Sequence, residues 1–262
     1  MDVFAPYKAT LRPYGNSSTS TATLRPHDDF FDGLMSETQH PRSIRSFVTR
    51  AGRITEAQQR ALEELWPVYG MEFQPRPLDL AALFGRDAPC TLEIGFGNGD
   101  NLIALASAHA QRNYLGIEVH RAGVGRVLLS ARERGLSNLK VLCHDAVEVF
   151  GQQLAGECLD EVLILFPDPW PKKRHHKRRL IQGPFASLVA SRLRQGGRLR
   201  LATDWQPYAQ EMLAVLQGIP QLRNEATGGS FIERPADRPP TRFERRGERL
   251  GHEVYDLAFR RI

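Results

Sequence analysis

The sequence predicts an α/β fold: a mostly parallel sheet with helices on both faces and an antiparallel strand at the C-terminus. Three observations predict it. From residue 90 onward, short apolar runs alternate with segments of helical periodicity. Those runs are apolar almost throughout, as strands covered on both faces of a parallel sheet must be. The last run, "HEVYDLAFRR", instead alternates apolar and polar positions, the pattern of an edge or antiparallel strand.

The elements follow in order. Residues 1–38 are Ser/Thr-rich ("GNSSTSTAT"), carry "ATLRP" twice and hold few apolar positions, so they read as a disordered tail. A single domain is expected over 39–262, opening with a helical extension, "RSIRSFVTRAGRITEAQQRALEELWP". There Thr55 and Gln58 form a capping box, Ala57, Ala61, Leu62 and Leu65 share one face, and Trp66-Pro67 should end the helix. "TLEIGF" is the first strand, and "DNLIALASAHA" the next helix, with Asp100 as its expected cap. "YLGIEV", "LKVLC", "LDEVLILF" and "RLRLAT" are the following strands. Between or after them, "RAGVGRVLLSARERG", "PFASLVASRLRQGG" and "WQPYAQEMLAVL" have helical spacing; Pro184 should start the second of these and Gly-Gly stop it.

Composition narrows the function classes. The chain has 262 residues, 41% apolar and 25% charged, with 35 Lys+Arg against 30 Asp+Glu for a formal charge of +5. The excess is modest, so its placement matters more: it gathers at Lys172–Arg179 and at Arg42, Arg45, Arg50 and Arg53. Cys90, Cys143 and Cys158 lack CxxC spacing and read as buried free thiols, with no metal site expected. No apolar run approaches the ~18 residues of a membrane span. A signal peptide's apolar core is missing from the N-terminus, and Asp2, Asp28, Asp29 and Asp32 disfavour a transit peptide, so the cytoplasm is expected.

In an open parallel sheet, ligands bind beyond the carboxyl ends of the strands. Each expected strand end carries or adjoins a carboxylate: Glu93, Glu118, Asp145, Asp168 and Asp204. Gly95 and Gly97 open a glycine-rich turn after the first strand that allows close backbone approach to a ligand. Glu118 lies about twenty residues on, where an acid can accept both ribose hydroxyls; alone, this suits NAD equally well. The G-x-G-x-G spacing and the neighbouring Glu93 tilt the reading toward a ligand with an ammonium or sulfonium rather than a diphosphate. Asp145-Ala146 could accept from an adenine's exocyclic amine. Ribose, adenine and a cationic amino-acid tail together describe S-adenosylmethionine. The plainer alternatives are an inert strand residue for Glu93 and a helix cap for Asp145.

The stretch "LFPDPWPKKRHHKRR" follows the fourth strand. Each proline restricts its predecessor, so Phe166, Asp168 and Trp170 are expected to be extended, with Asp168 held stiffly at the sheet edge. Lys172, Lys173, Arg174, Lys177, Arg178 and Arg179, with His175 and His176 among them, then form a block dense enough to neutralise phosphates. Trp170 is expected either to stack on a base or to pack into the fold.

The motifs "LEIGFGNGD", "GIEVHRAGVGRVL", "HDAVEVF", "LILFPDPWPKKRHHKRRL", "LATDW" and "TRFERRGERLGHEVYDLAF" resemble those of the bacterial tRNA (guanine-N7)-methyltransferases, across about residues 42–262. The resemblance implies a Rossmann-like class I methyltransferase fold, S-adenosylmethionine as donor, and a variable-loop guanine of tRNA as acceptor. It carries cofactor contacts to Glu93, Glu118 and Asp145, and a catalytic role to Asp168. It carries substrate contacts to Lys172, Asp204, Thr241 and Glu244, and an RNA-interaction segment to residues 174–179. No obligatory protein partner is implied, and the chain could be a monomer or a homodimer. Three rivals remain at this point: an NAD-dependent oxidoreductase, a non-catalytic RNA-binding module, and a methyltransferase with another RNA or a small molecule as acceptor.

Overall fold

Helices and strands alternate through the chain for the local reasons the sequence suggests, with four informative departures. The computed structural model describes residues 45–48, 53–239, 244, 251 and 253–262. Expectations for the tail at 1–38, for Arg42 and Arg50, and for Thr241 fall outside the described residues. The first elements are α1 (Glu56–Glu64), α2 (Trp66–Tyr69), β1 (Gly70–Met71) and α3 (Leu80–Phe84). The central repeat then runs β2 (Cys90–Ile94), α4 (Asp100–Ala108), β3 (Asn113–Ile117), α5 (Arg121–Glu133), β4 (Leu139–Leu142), α6 (Ala146–Gln152) and β5 (Leu159–Leu165). A 3-10 helix at Lys173–Arg178 precedes α7 (Gly183–Arg192), β6 (Leu193–Thr203), α8 (Gln206–Gln217), β7 (Leu222–Asn224) and β8 (Tyr255–Arg261).

The sheet order is β1-β4-β3-β2-β5-β6-β8-β7. Strands β1 to β6 pair in parallel, and β8 runs antiparallel between β6 and β7. Both faces are covered, as the apolar strands required. Val162 and Ile164 join one core with Phe150, Phe185, Val189 and Met212 of α6, α7 and α8. Leu163 faces the other way, into a core with Leu62, Leu102, Val124 and Leu128 of α1, α4 and α5. Each such side chain, nearly inaccessible to water, contributes roughly 1.5–3 kcal/mol. The fold class read from the sequence is thus the one observed.

The capping box forms: the Gln58 amide donates to Thr55 Oγ1, and the Thr55 amide donates to Gln58 Oε1. Ala61, Leu62 and Leu65 are buried, but Ala57 is exposed, so the apolar face is narrower than its spacing suggested. Pro67 does not simply end a helix; it occupies the first turn of α2, where its fixed φ is suited. Helix α4 is capped by Gly99 at φ 78°, not by Asp100, which is the first helical residue. A Cβ at position 99 would lie 2.0 Å from Val127 Cγ2, so only glycine fits. Gly196 and Gly197 do not stop α7: Arg192 ends it, and both glycines lie inside β6, beside an irregularity in the β5–β6 pairing. The three cysteines are free thiols, of which only Cys90 is fully buried. No helix among the described residues is long and apolar enough to cross a membrane.

Candidate active site

The chain builds β2, β3 and β4 outward in one direction and then returns to place β5 and β6 on the other side of β2. That reversal makes the gap between the β2 and β5 carboxyl ends the topological switch point. A cavity of about 920 Å3 opens there. Glu93, Gly95, Gly97, Glu118, Asp145, Ala146 and Asp168 all line it, so residues spread over 75 positions converge as expected. Among the described residues, the lining includes five Asp or Glu, the fifth being Asp100, and no Lys or Arg.

Each carboxylate is held differently. Glu118 is buried and tied to backbone. Its Oε1 accepts from the Val119 and His120 amides at 2.7 and 2.9 Å and lies 2.9 Å from His120 Nδ1. Its Oε2 accepts from the Gly97 amide at 2.8 Å, latching the glycine turn to the end of β3. The turn also needs room behind it: a Cβ at Gly123 on α5 would lie 2.1 Å from Gly97 O. Glu93 is 3% exposed, and its Oε2 accepts from Asn101 Nδ2 at 2.9 Å. Burial pushes the Glu93 carboxyl up to about 7, against the lowering effect of Asn101 and with a further push from the Glu118 charge. Asp145 Oδ1 accepts from the Val147 amide at 2.9 Å and so does cap α6, while its residue also lines the cavity; burial raises its pKa.

This lining fits a cationic ligand that also carries hydroxyl and amine donors. A diphosphate would meet five carboxylates and no Lys or Arg among the described lining residues, and Asp100 occupies the first turn of α4, where a pyrophosphate would otherwise be stabilised. The nicotinamide-dinucleotide reading is therefore disfavoured by charge.

The proline ribbon departs from expectation. Asp168 is exposed at the rim of the cavity, but its flanks are not extended: Phe166 and Trp170 have φ of 53° and 44°. A proline's ring clashes with the right-handed helical region of its predecessor and leaves the left-handed one open, at roughly 1–3 kcal/mol for a bulky residue. Tertiary contacts hold both corners. The Phe166 amide donates to Ala202 O at 2.7 Å, and Arg238 sits 5.9 Å from the Phe166 ring centre. Trp170 Nε1 donates to Ser46 O at 3.0 Å, while the Arg178 guanidinium covers one ring face at 4.2 Å. Those contacts favour packing over base stacking for Trp170.

The basic block divides by exposure. Lys172, Lys173, Arg174 and Lys177 are exposed. His175 and His176 are half-buried, and desolvation with the surrounding cations lowers the His175 pKa. Arg179 turns inward, contrary to its expected contact with RNA. Its side chain is 1% exposed and pairs with Glu211; its Nε donates to Pro169 O at 2.8 Å. An anchor of the ribbon is what that geometry makes. Glu244 also differs from expectation: it is buried and accepts from Arg238 Nη1 and Nη2 at 2.7 and 3.0 Å, so its carboxylate is engaged within the fold. Lys172, Asp204 and Glu244 are not among the residues lining the cavity.

Sequence reasoning missed Ser46, Phe47, His120 and His144 as lining residues. Only His120 and His144 had a signal, lying two positions and one position from an acid already singled out.

Similarity to known proteins agrees with this chemistry. Residues 87–257 match the family described as putative methyltransferase. The chain is 59% identical over 216 residues to a tRNA (guanine-N(7)-)-methyltransferase of Leifsonia xyli, covering 82% of this chain and 95% of that one. It is 55% identical over 221 residues to the protein of that name from Klebsiella pneumoniae, covering 84% and 92%. An acid-lined cavity at the switch point, matched at this identity over nearly the whole length of such relatives, leaves one conclusion: the chain belongs to the tRNA (guanine-N7)-methyltransferase family.

Proposed function

We propose that the chain transfers a methyl group from S-adenosylmethionine to N7 of a variable-loop guanine in tRNA. The observation that carries the reading is the acidic lining at the strand ends, five carboxylates with no cation among the described residues, beside an exposed cationic strip. Glu118 suits the ribose hydroxyls, Glu93 the ammonium, and Asp145 with Ala146 the adenine. The donor, when bound, supplies an electrophilic methyl on a sulfonium, which passes to the N7 lone pair as the carbon–sulfur bond breaks and leaves the positive charge on the purine.

Guanine N7 carries its lone pair at neutral pH, so the chain needs no general base. Its task is alignment and electrostatics. Asp168, at the cavity rim between two braced corners, is suited to accept from the base's Watson–Crick edge and to stabilise the cation that forms on it. Asp204 is a further candidate for that edge. Lys172, Lys173, Arg174 and Lys177 are suited to the phosphates of the RNA that carries it.

Incubating the protein with labelled S-adenosylmethionine and tRNA lacking the modification should yield 7-methylguanosine on nucleoside analysis; label appearing in any other nucleoside, or none, would end this reading. Asp168→Ala should keep donor binding and lose about a hundredfold or more in turnover. Near-normal turnover in that variant would remove Asp168 from the mechanism.

A further inference from the structure

Three consecutive backbone carbonyls of the segment 45–48 are captured by two side chains from the ribbon and the basic helix. Arg178 Nε donates to Arg45 O at 3.2 Å, and its Nη2 donates to Phe47 O at 3.1 Å. Between them, Trp170 Nε1 donates to Ser46 O at 3.0 Å. The Arg178 guanidinium lies over the Trp170 ring at 4.2 Å, so the two donors brace each other. Ser46 and Phe47 belong to the wall of the donor cavity. A contact set that spans more than 120 residues of sequence thus ties that wall to the segment expected to meet RNA.

We propose that residues 45–48 form part of the donor site and that Trp170 and Arg178 are its positioning residues, so that Arg178 serves the donor before it serves RNA. The inference rests on the donor reading above. Hydrogen bonds to main-chain carbonyls fix where a segment lies, whatever its side chains, and two of these three come from a charged group, which strengthens them. Arg178 spends its Nε–Nη2 edge on Arg45 and Phe47 and keeps Nη1 for an anion. One side chain therefore reports to both ligands, and by linkage each ligand's affinity depends on the other. Lysine cannot replace it, because a point charge on a flexible stem does not span two carbonyls in a fixed fork.

The test is titration of S-adenosylhomocysteine into the full-length protein with no RNA present. Arg178→Ala should weaken binding roughly tenfold, for the loss of two charge-assisted hydrogen bonds. Arg178→Lys should be nearly as weak, and Trp170→Phe, which keeps the ring and loses the N–H, should fall about threefold. Phe47→Ala should weaken binding too, and combining it with Arg178→Ala should cost less than the sum of the two, since both act through one wall. A contact made by Arg178 only to phosphate would leave both Arg178 titrations at the wild-type value. Unchanged affinity in Arg178→Ala or Arg178→Lys, or strict additivity with Phe47→Ala, would overturn the inference. A wild-type protein that binds no S-adenosylhomocysteine would instead overturn the donor reading itself.

Discussion

Glu93 is a cavity carboxylate whose protonation should depend on what the cavity holds. Its carboxyl is buried, with Asn101 as a hydrogen-bond donor and Glu118 as a neighbouring charge, and burial lifts it from an ordinary 4.5 to about 7. A raised acid favours its protonated form in the folded chain. Its contribution to stability is therefore full below about pH 4.5 and is lost as pH rises through about 7. Glu93→Gln should accordingly gain up to about 3 kcal/mol on the wild type near pH 8 and nothing near pH 4, read from urea unfolding at both values. A cationic donor reverses the preference and calls for the ionised form. Donor affinity should thus weaken as pH falls below about 7, with proton release visible as buffer-dependent binding heat; heats that do not change with buffer would show that Glu93 is already ionised in the empty site. The glycine at 123 makes a geometric counterpart. Gly123→Ala would drive a methyl group into Gly97 O, and should weaken the donor by moving a turn whose amide holds Glu118. Carboxylates like Glu93 were legible in the sequence because strand ends in a parallel sheet converge whatever the loops do. His120 and His144 offered only their nearness to such an acid, which has no periodic signature.

At the scale of elements, the strands were legible because burial on both faces leaves a continuous apolar run, as in residues 162–165 of β5. Boundaries and corners were not, because long-range contacts decide them. The residue before a proline prefers extended geometry, yet Phe166 and Trp170 adopt positive φ because Ala202, Arg238, Ser46 and Arg178 hold them there. In the same way, eight residues that read as one basic block serve two ends. Lys173, Arg174 and Lys177 face solvent, while Arg179 anchors the ribbon through Glu211 and Pro169. Their substitutions should separate. A Lys173/Arg174/Lys177→Ala triple variant should lose tRNA affinity and leave thermal stability within about 0.5 kcal/mol of the wild type. Arg179→Ala should destabilise the fold by about 3 kcal/mol, because it removes a buried cation from its partners. Thermal unfolding and RNA binding measured on both variants decide the matter: a triple variant with unchanged RNA affinity would show that the exposed helix is a solvated face.

At the scale of the whole molecule, charge around the site is sorted by depth, with Arg179 as the buried cation that anchors the ribbon. Acids line a cavity at the switch point, where Glu93 and Glu118 are nearly inaccessible to solvent. Cations cluster on the exposed side of the 3-10 helix that follows the ribbon. The sorting follows from topology: the helix and ribbon leave the carboxyl end of β5, one of the two strands that frame the cavity. Buried charge responds far less to salt than exposed charge, because a screening atmosphere reaches only what faces water. Four exposed cations, Lys172, Lys173, Arg174 and Lys177, engaging four phosphates would make tRNA affinity fall roughly hundredfold between about 50 and 200 mM salt. Donor affinity, governed by carboxylates inside the fold, should move by less than about twofold over the same range. Both titrations on one preparation test the arrangement. A donor affinity as salt-sensitive as RNA binding would mean that the acids of the cavity are screened like surface groups, and that the sheet edge does not enclose them as drawn.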